Sequence, residues 1–331
     1  VDLQQELSEN GYTKAAELLG NLTASDHIME ELSLILKECV SSKSKLPDDI
    51  HILYTQLVHV TTFRKEYKSI LIRDLETILS ETLNHPNDPA EIYINEKEED
   101  EVISLYQKAV EGDPDTQLEL GHFYKSIERD EWAFDWFKAA AEAGRADALY
   151  WLGNEYFVGK VVVHDLEKTY FYYKQAAEKG HGDALNNYAD MYLRGEYVEK
   201  NEARALELFK AAADKGVPEA MYTLGYMYEN GVGTEIDMEE SKRWFTESAL
   251  FGDVFAANRL GHEAVESDRG DEAISWYQLA ADRGDFYGEY NLGLCYENGI
   301  GTPVNLKKAK LWYQKAALKG DVQAKQRLKE L

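Results

Sequence analysis

Eight histidines, two cysteines and a surplus of carboxylates are the side chains here that could do chemistry, and their spacing gives none of them a task. His51 and His59 lie eight residues apart on one expected helix and can share a face. A zinc-binding helix needs two histidines flanking a glutamate one turn apart, and no such motif occurs. Cys295 falls two residues after Gly293, with no histidine beside it in sequence, so a buried packing thiol is expected. The turns Gly231-Val232-Gly233 and Gly299-Ile300-Gly301 have the glycines of a phosphate loop but no preceding strand and no Lys-Ser/Thr pair. Carboxylate pairs are inevitable among 61 acidic residues, and nothing singles out two of them. No catalytic residue, metal or cofactor is expected.

Charge narrows the partners. Lys and Arg number 36 against 61 acidic residues, a net charge of −25, and the excess is present in both halves of the chain. Such a surface repels phosphate backbones and anionic lipid, so no nucleic-acid partner is expected, while a basic or mixed-charge protein would be steered in. Solubility alone is the competing explanation of that charge. No run approaches 18 apolar residues, so no membrane span is expected. Cys39 and Cys295 are too few and too distant for a disulfide framework. The first residue is Val1, and both a removed leader and a trimmed start fit that, so cytoplasm and periplasm stay open.

The elements that would position a binding surface are legible as a repeat. A glycine follows an alanine-rich stretch at Gly144, Gly180, Gly216, Gly252, Gly284 and Gly320, with spacings of 36, 36, 36, 32 and 36. A second marker, usually Leu-Gly, stands at Gly121, Gly153, Ala189, Gly225, Gly261 and Gly293. Two interleaved markers of matching period define a unit of two helices. The first helix carries a tyrosine three residues after the marker, on nearly the same face: Tyr124, Tyr156, Tyr192, Tyr228 and Tyr296, with Ala264 in the fifth unit. The second helix carries a pair of bulky residues such as Trp136-Phe137, Trp244-Phe245 or Trp312-Tyr313. Bulk on one helix against a small residue on the other is how packed helices interdigitate. Asp165, Asp237 and Asn305 suit N-caps, and the period-marking glycines suit left-handed helix ends. Units one and five are four residues shorter, and the deletion falls in the loop between the helices.

This pattern resembles the Sel-one-like repeat family, long-looped relatives of the tetratricopeptide repeat, over six units at about residues 113–320. The resemblance implies an all-α fold, a right-handed α/α superhelix or solenoid of helical hairpins. It is expected to fill residues 96–331, with a degenerate half-unit at 97–112 and a polar capping helix at 321–331. Residues 1–95 lack the markers but show apolar residues at helical spacing, as in Ile28, Leu32, Ile35 and Leu36. They read as an N-terminal helical region, either a separate bundle or diverged pairs.

In relatives of this fold the first helices line a concave side. By helical period, offsets −3, −2, +1 and +4 from the inward glycine point away from the packed seam. Those offsets place Tyr150, Trp151, Asn154 and Phe157 in the second unit, then Asn186, Asn187 and Asp190 in the third. Tyr222, Tyr226 and Glu229 follow, then Asn258, Arg259 and His262, and last Tyr290, Asn291 and Glu297. Tyr and Trp supply rigid contact area, and Asn can hold a peptide backbone as donor and acceptor. The aromatics can equally pack between units. The expected function is a non-enzymatic scaffold or adaptor that binds an extended segment or helix of another protein, acting as a monomer. The alternatives are a bacterial immunity protein that neutralises a toxic effector, and a regulator of the cell envelope.

Overall fold

The computed structural model of this chain describes residues 108–109, 112–126, 128 and 130–331. The expected N-terminal region at 1–95 lies outside the described residues, as does nearly all of the half-unit at 97–112. Of that half-unit, Lys108 and Ala109 are helical, and the Ala109 carbonyl accepts from the Gln117 side-chain amide at 2.8 Å.

Thirteen helices and no strand occur among the described residues, so the fold class is the expected all-helical solenoid of hairpins. The chain divides into two compact units at Tyr172/Tyr173. The first holds α1 (Pro114–Ser126), α2 (Asp130–Glu142), α3 (Ala146–Val158) and the start of α4 (Leu166–Glu178). The second holds the rest of α4 and then α5 (Gly182–Arg194), α6 (Glu202–Asp214), α7 (Pro218–Asn230) and α8 (Met238–Phe251). It continues through α9 (Val254–Glu266), α10 (Gly270–Asp282), α11 (Phe286–Asn298), α12 (Leu306–Leu318) and α13 (Val322–Glu330). Within the first unit α1 packs on α2 and α2 on α3. Within the second, first helices pack on their second helices, α7 on α8 and α11 on α12 for example, and from α6 on each second helix packs on the next first helix.

The marker glycines form the seam. A Cβ on Gly121 would lie 2.6 Å from the Phe137 ring, and one on Gly225 would lie 2.8 Å from Phe245. Gly261 and Gly293 are pressed in the same way against Tyr277 and Tyr313. The buried partner is the second member of each aromatic pair, which is why that position stays large while the glycine stays small. Asp237, Asn305 and Asn201 accept backbone N–H bonds as N-caps, and the Asp165 carboxylate accepts from the Lys168 amide at 3.0 Å. The helix after Asp321 buries Ala324 and leaves most of its length exposed.

Backbone chirality selects the loops. Gly233 and Gly301 both have φ near +65°, and each lies against the backbone of the preceding unit, at Glu202 and Gly270 respectively. A side chain would be strained there and would have no room. In the third unit Tyr197 occupies the equivalent place with φ +65°. The two short loops turn through Glu128 and Asp268, also at positive φ.

Candidate protein-binding cavity

Helices α7, α8 and α9 and the start of α11 enclose an open cavity of about 890 Å³. Five of the expected groove residues line it: Tyr222, Glu229, Asn258, Arg259 and His262. They converge because the +4 residue of one first helix meets the −2 residue of the next. Thus Glu229 pairs with Arg259, whose guanidinium also lies 4.3 Å from the centroid of the Phe245 ring. The same step recurs at Glu297 and Arg327. His262 Nδ1 and the Tyr277 hydroxyl share a hydrogen bond at 2.8 Å, and burial pushes the Tyr277 hydroxyl well above the usual phenol range.

The other expected residues do not join this cavity. Trp151 stacks on Phe137 with centroids 5.6 Å apart, and Tyr150 packs edge-on against Trp151. Asn154 is half-buried on the same helix, and Phe157 is exposed. Asn186 donates to Asn187 at 3.3 Å, and Asp190 pairs with Arg194 within one turn. Tyr226 is exposed on α7, and Tyr290 packs against Tyr313. Glu297, beyond its pairing with Arg327, accepts from the Tyr313 hydroxyl at 2.5 Å.

The amides have an internal task that spacing did not reveal. Asn258 donates to the Val254 carbonyl at 2.9 Å and to the Asp285 carboxylate at 2.8 Å. Asp285 in turn accepts from the Gly288 amide as the N-cap of α11. Asn291 is buried and donates to Asn258. This network fixes the start of α11 relative to α9, so these two amides position the wall instead of projecting from it.

Residues outside the expected offsets complete the lining: Met238, Lys242, Phe255, Glu263, Glu266, Asp285 and Tyr287 among them. Four carboxylates, Glu229, Glu263, Glu266 and Asp285, face two cations, Lys242 and Arg259, so the cavity is acidic beyond its histidine. Lys242 Nζ sits 3.8 Å from Glu263, which also meets Arg269. One sequence signal could have located two of the missed residues. Six residues before the marker, in the first turn of the first helix, units one to four carry Asp115, Asp147, Asp183 and Glu219. Units five and six carry Phe255 and Tyr287 at that position.

Cys295 lies in the α9–α12 core, and burial pushes its thiol up to about 11, so it is a packing residue. Among the described residues, no three or more His, Cys, Asp or Glu side chains gather as metal ligands would. None of the described helices is long and apolar enough to cross a membrane.

The Sel1 repeat matches this chain at residues 117–144, 146–181, 182–217, 218–253, 255–285 and 287–321. The chain is similar to the crystal structure of a protective antigen from uropathogenic Escherichia coli displaying an SLR fold. That likeness has 32% identity and a TM-score of 0.59, and covers 68% of this chain and 50% of that one. It is also similar over 60 residues to the chitin synthase regulator SKT5 of Malassezia restricta (48% identical) and to the rat DAP3-binding cell death enhancer 1 (42% identical). Each of those two segments covers 18% of this chain, and they span only 4% and 12% of the respective relatives. With six matched repeats that coincide with the six helical hairpins, the chain belongs to the Sel1 repeat family.

Proposed function

We propose that this chain is a non-enzymatic scaffold that holds a protein partner, and that the partner enters the cavity between α7, α8, α9 and α11 with a basic segment. The observation that carries this reading is the cavity itself: about 890 Å³, with four carboxylates against two cations. Arg259 is already engaged by Glu229, and the remaining three carboxylates still outnumber Lys242 by two. A Lys- or Arg-bearing segment, extended or helical, complements that lining, and the chain's net charge of −25 speeds its approach. Nucleic acid and anionic membrane are disfavoured by the same field. The scaffold class is supported by family membership and by relatives whose names describe regulating or binding another protein. The chain acts as a monomer in this reading.

Affinity capture with the full chain from its native cell tests it. A genuine partner is lost when Glu263 and Glu266 are both changed to Lys. It is retained when Asp183 and Glu219 are both changed to Lys, an equal charge reversal outside the cavity lining. Equal recovery with both variants would contradict the cavity as the site.

A further inference from the structure

The corner where each second helix ends and the next first helix begins changes character at the fourth repeat, and in part at the two that follow. Its charged pattern appears as Glu178-Lys179 with Asp183, and again as Asp214-Lys215 with Glu219. At the corner of the fourth repeat the same positions read Leu250-Phe251 with Phe255, and all three are more than half exposed. The next corner keeps Asp282-Arg283 but places Tyr287, 55% exposed, where the acid would stand.

The acid at the helix start is moved here: Asp253 and Asp285 are the N-caps of α9 and α11, where the second and fourth repeats have Arg145 and Val217. With Asp253 supplying the carboxylate favoured at the positive end of the dipole, the first turn of α9 is open to another side chain, and Phe255 stands there 73% exposed. The basic residue before the marker glycine also has a structural task. Arg283 donates to the carbonyls of Ala249 and Leu250 at 2.8 and 3.1 Å, and Lys319 donates to that of Gly284 at 2.9 Å. Phe251 cannot donate; its ring lies over Gly216 as the Arg283 guanidinium lies over Gly252. A carbonyl donor is therefore given up at one corner for exposed apolar surface, and Phe255 and Tyr287 both line the acidic cavity.

We propose that Phe255 and Tyr287 are the apolar anchor site of this cavity, and that its occupant is a Lys/Arg-rich protein segment carrying a large apolar side chain between its cations. This inference rests on the basic-segment reading above and specifies it. The anchor side chain seats between the two rings while its flanking cations meet Glu263 and Glu266. A clustered aromatic contact inside a charged rim is the arrangement in which a few residues dominate binding. A second copy of this chain is the wrong occupant for a two-fold dimer, since symmetry would set the carboxylates of one cavity against those of the other.

Isothermal titration of the full chain with three synthetic peptides of equal length tests the proposal: Lys interspersed with Phe, Lys with Ser, and Glu with Phe. The Lys–Phe peptide binds, the Lys–Ser peptide binds at least tenfold more weakly, and the Glu–Phe peptide does not bind. Phe255→Asp with Tyr287→Asp weakens the Lys–Phe peptide at least tenfold, although the change adds negative charge, and leaves the Lys–Ser peptide no weaker. Phe255→Leu, which keeps an apolar side chain, stays within about threefold of the wild type. Unchanged Lys–Phe binding in the double Asp variant overturns the anchor, and so does self-association of the wild type that this variant abolishes. If Glu263→Lys with Glu266→Lys weakens both Lys peptides while the Asp variant does not, the anchor falls and the basic-segment reading stands. If neither pair of changes affects any peptide, both fall.

Discussion

Two regions of the same hairpins are only a few residues apart and are held to different standards. In the seam, Phe137 faces Gly121, Phe245 faces Gly225, Tyr277 faces Gly261 and Tyr313 faces Gly293, with hardly any change of chemistry. At the outer corner, Lys179 and Lys215 give way to Phe251, and Asp183 and Glu219 to Phe255. The seam is constrained because a glycine with no room for a Cβ tolerates one arrangement of its neighbour. The corner is free of that constraint, so a departure there reflects what meets it from outside. Variation at a repeat's corner is thus more informative about binding than variation along its packed face.

The seam should give way first and furthest. Tyr313→Ala removes a fully buried ring that packs on Gly293 and donates to Glu297. By analogy with other buried aromatics it should lower unfolding stability by about 3–5 kcal/mol, read from the urea midpoint. The matching corner change, Phe255→Ala, should move it by less than about 0.5 kcal/mol. If the two costs are comparable, the distinction between seam and corner fails.

Alkali attacks the seam by a second route. Burial raises the Cys295 thiol from 9.0 to about 11, so the folded state keeps a proton that the unfolded chain releases. The stabilisation is complete below pH 9 and is lost as pH rises toward 11, a fall on the order of 2 kcal/mol from this group. Burial of Tyr277 works in the same direction. Denaturant titrations at pH 8 and pH 11 should show the drop, and Cys295→Ala should make it smaller.

Smaller effects sharpen the corner. Arg283→Ala removes a charged donor shared by two carbonyls at the end of α8 and should cost about 0.3–1 kcal/mol, an effect that weakens in high salt. Phe251→Lys should restore such a donor one unit earlier and stabilise by a few tenths of a kcal/mol in the same assay. Phe255→Asp should be neutral or stabilising by about 0.3 kcal/mol, because it returns an acid to the first turn of α9. A clear destabilisation by Phe255→Asp would mean that the ring serves the fold.

Sequence spacing carried the fold far because the hairpin's requirements are local. Glycines at Gly144 or Gly216 terminate one helix, Asp237 or Asn305 starts another, and Gly225 answers Phe245 within one unit. The candidate surface was legible only in part, since exposure depends on how the next unit lies over the previous one. Helical period placed Asn258 and Asn291 on an outward face, but the N-cap Asp285 of the following helix engages Asn258, which bonds Asn291 in turn. For Trp151 the period left groove and packing open, and it stacks on Phe137. Phe255 and Tyr287 were missed because a search tuned to what repeats passes over the positions where the repeat stops.

A site-specific photo-cross-linking comparison tests the central claim most directly. A photoreactive phenylalanine analogue is placed at Phe255 and, in a second version, at Asp183, the equivalent position of the third repeat. The account predicts that the same discrete adduct with another protein forms in the native cell from position 255 and not from 183. Equal adducts from the two positions, or none from 255 while 183 reacts, would contradict it.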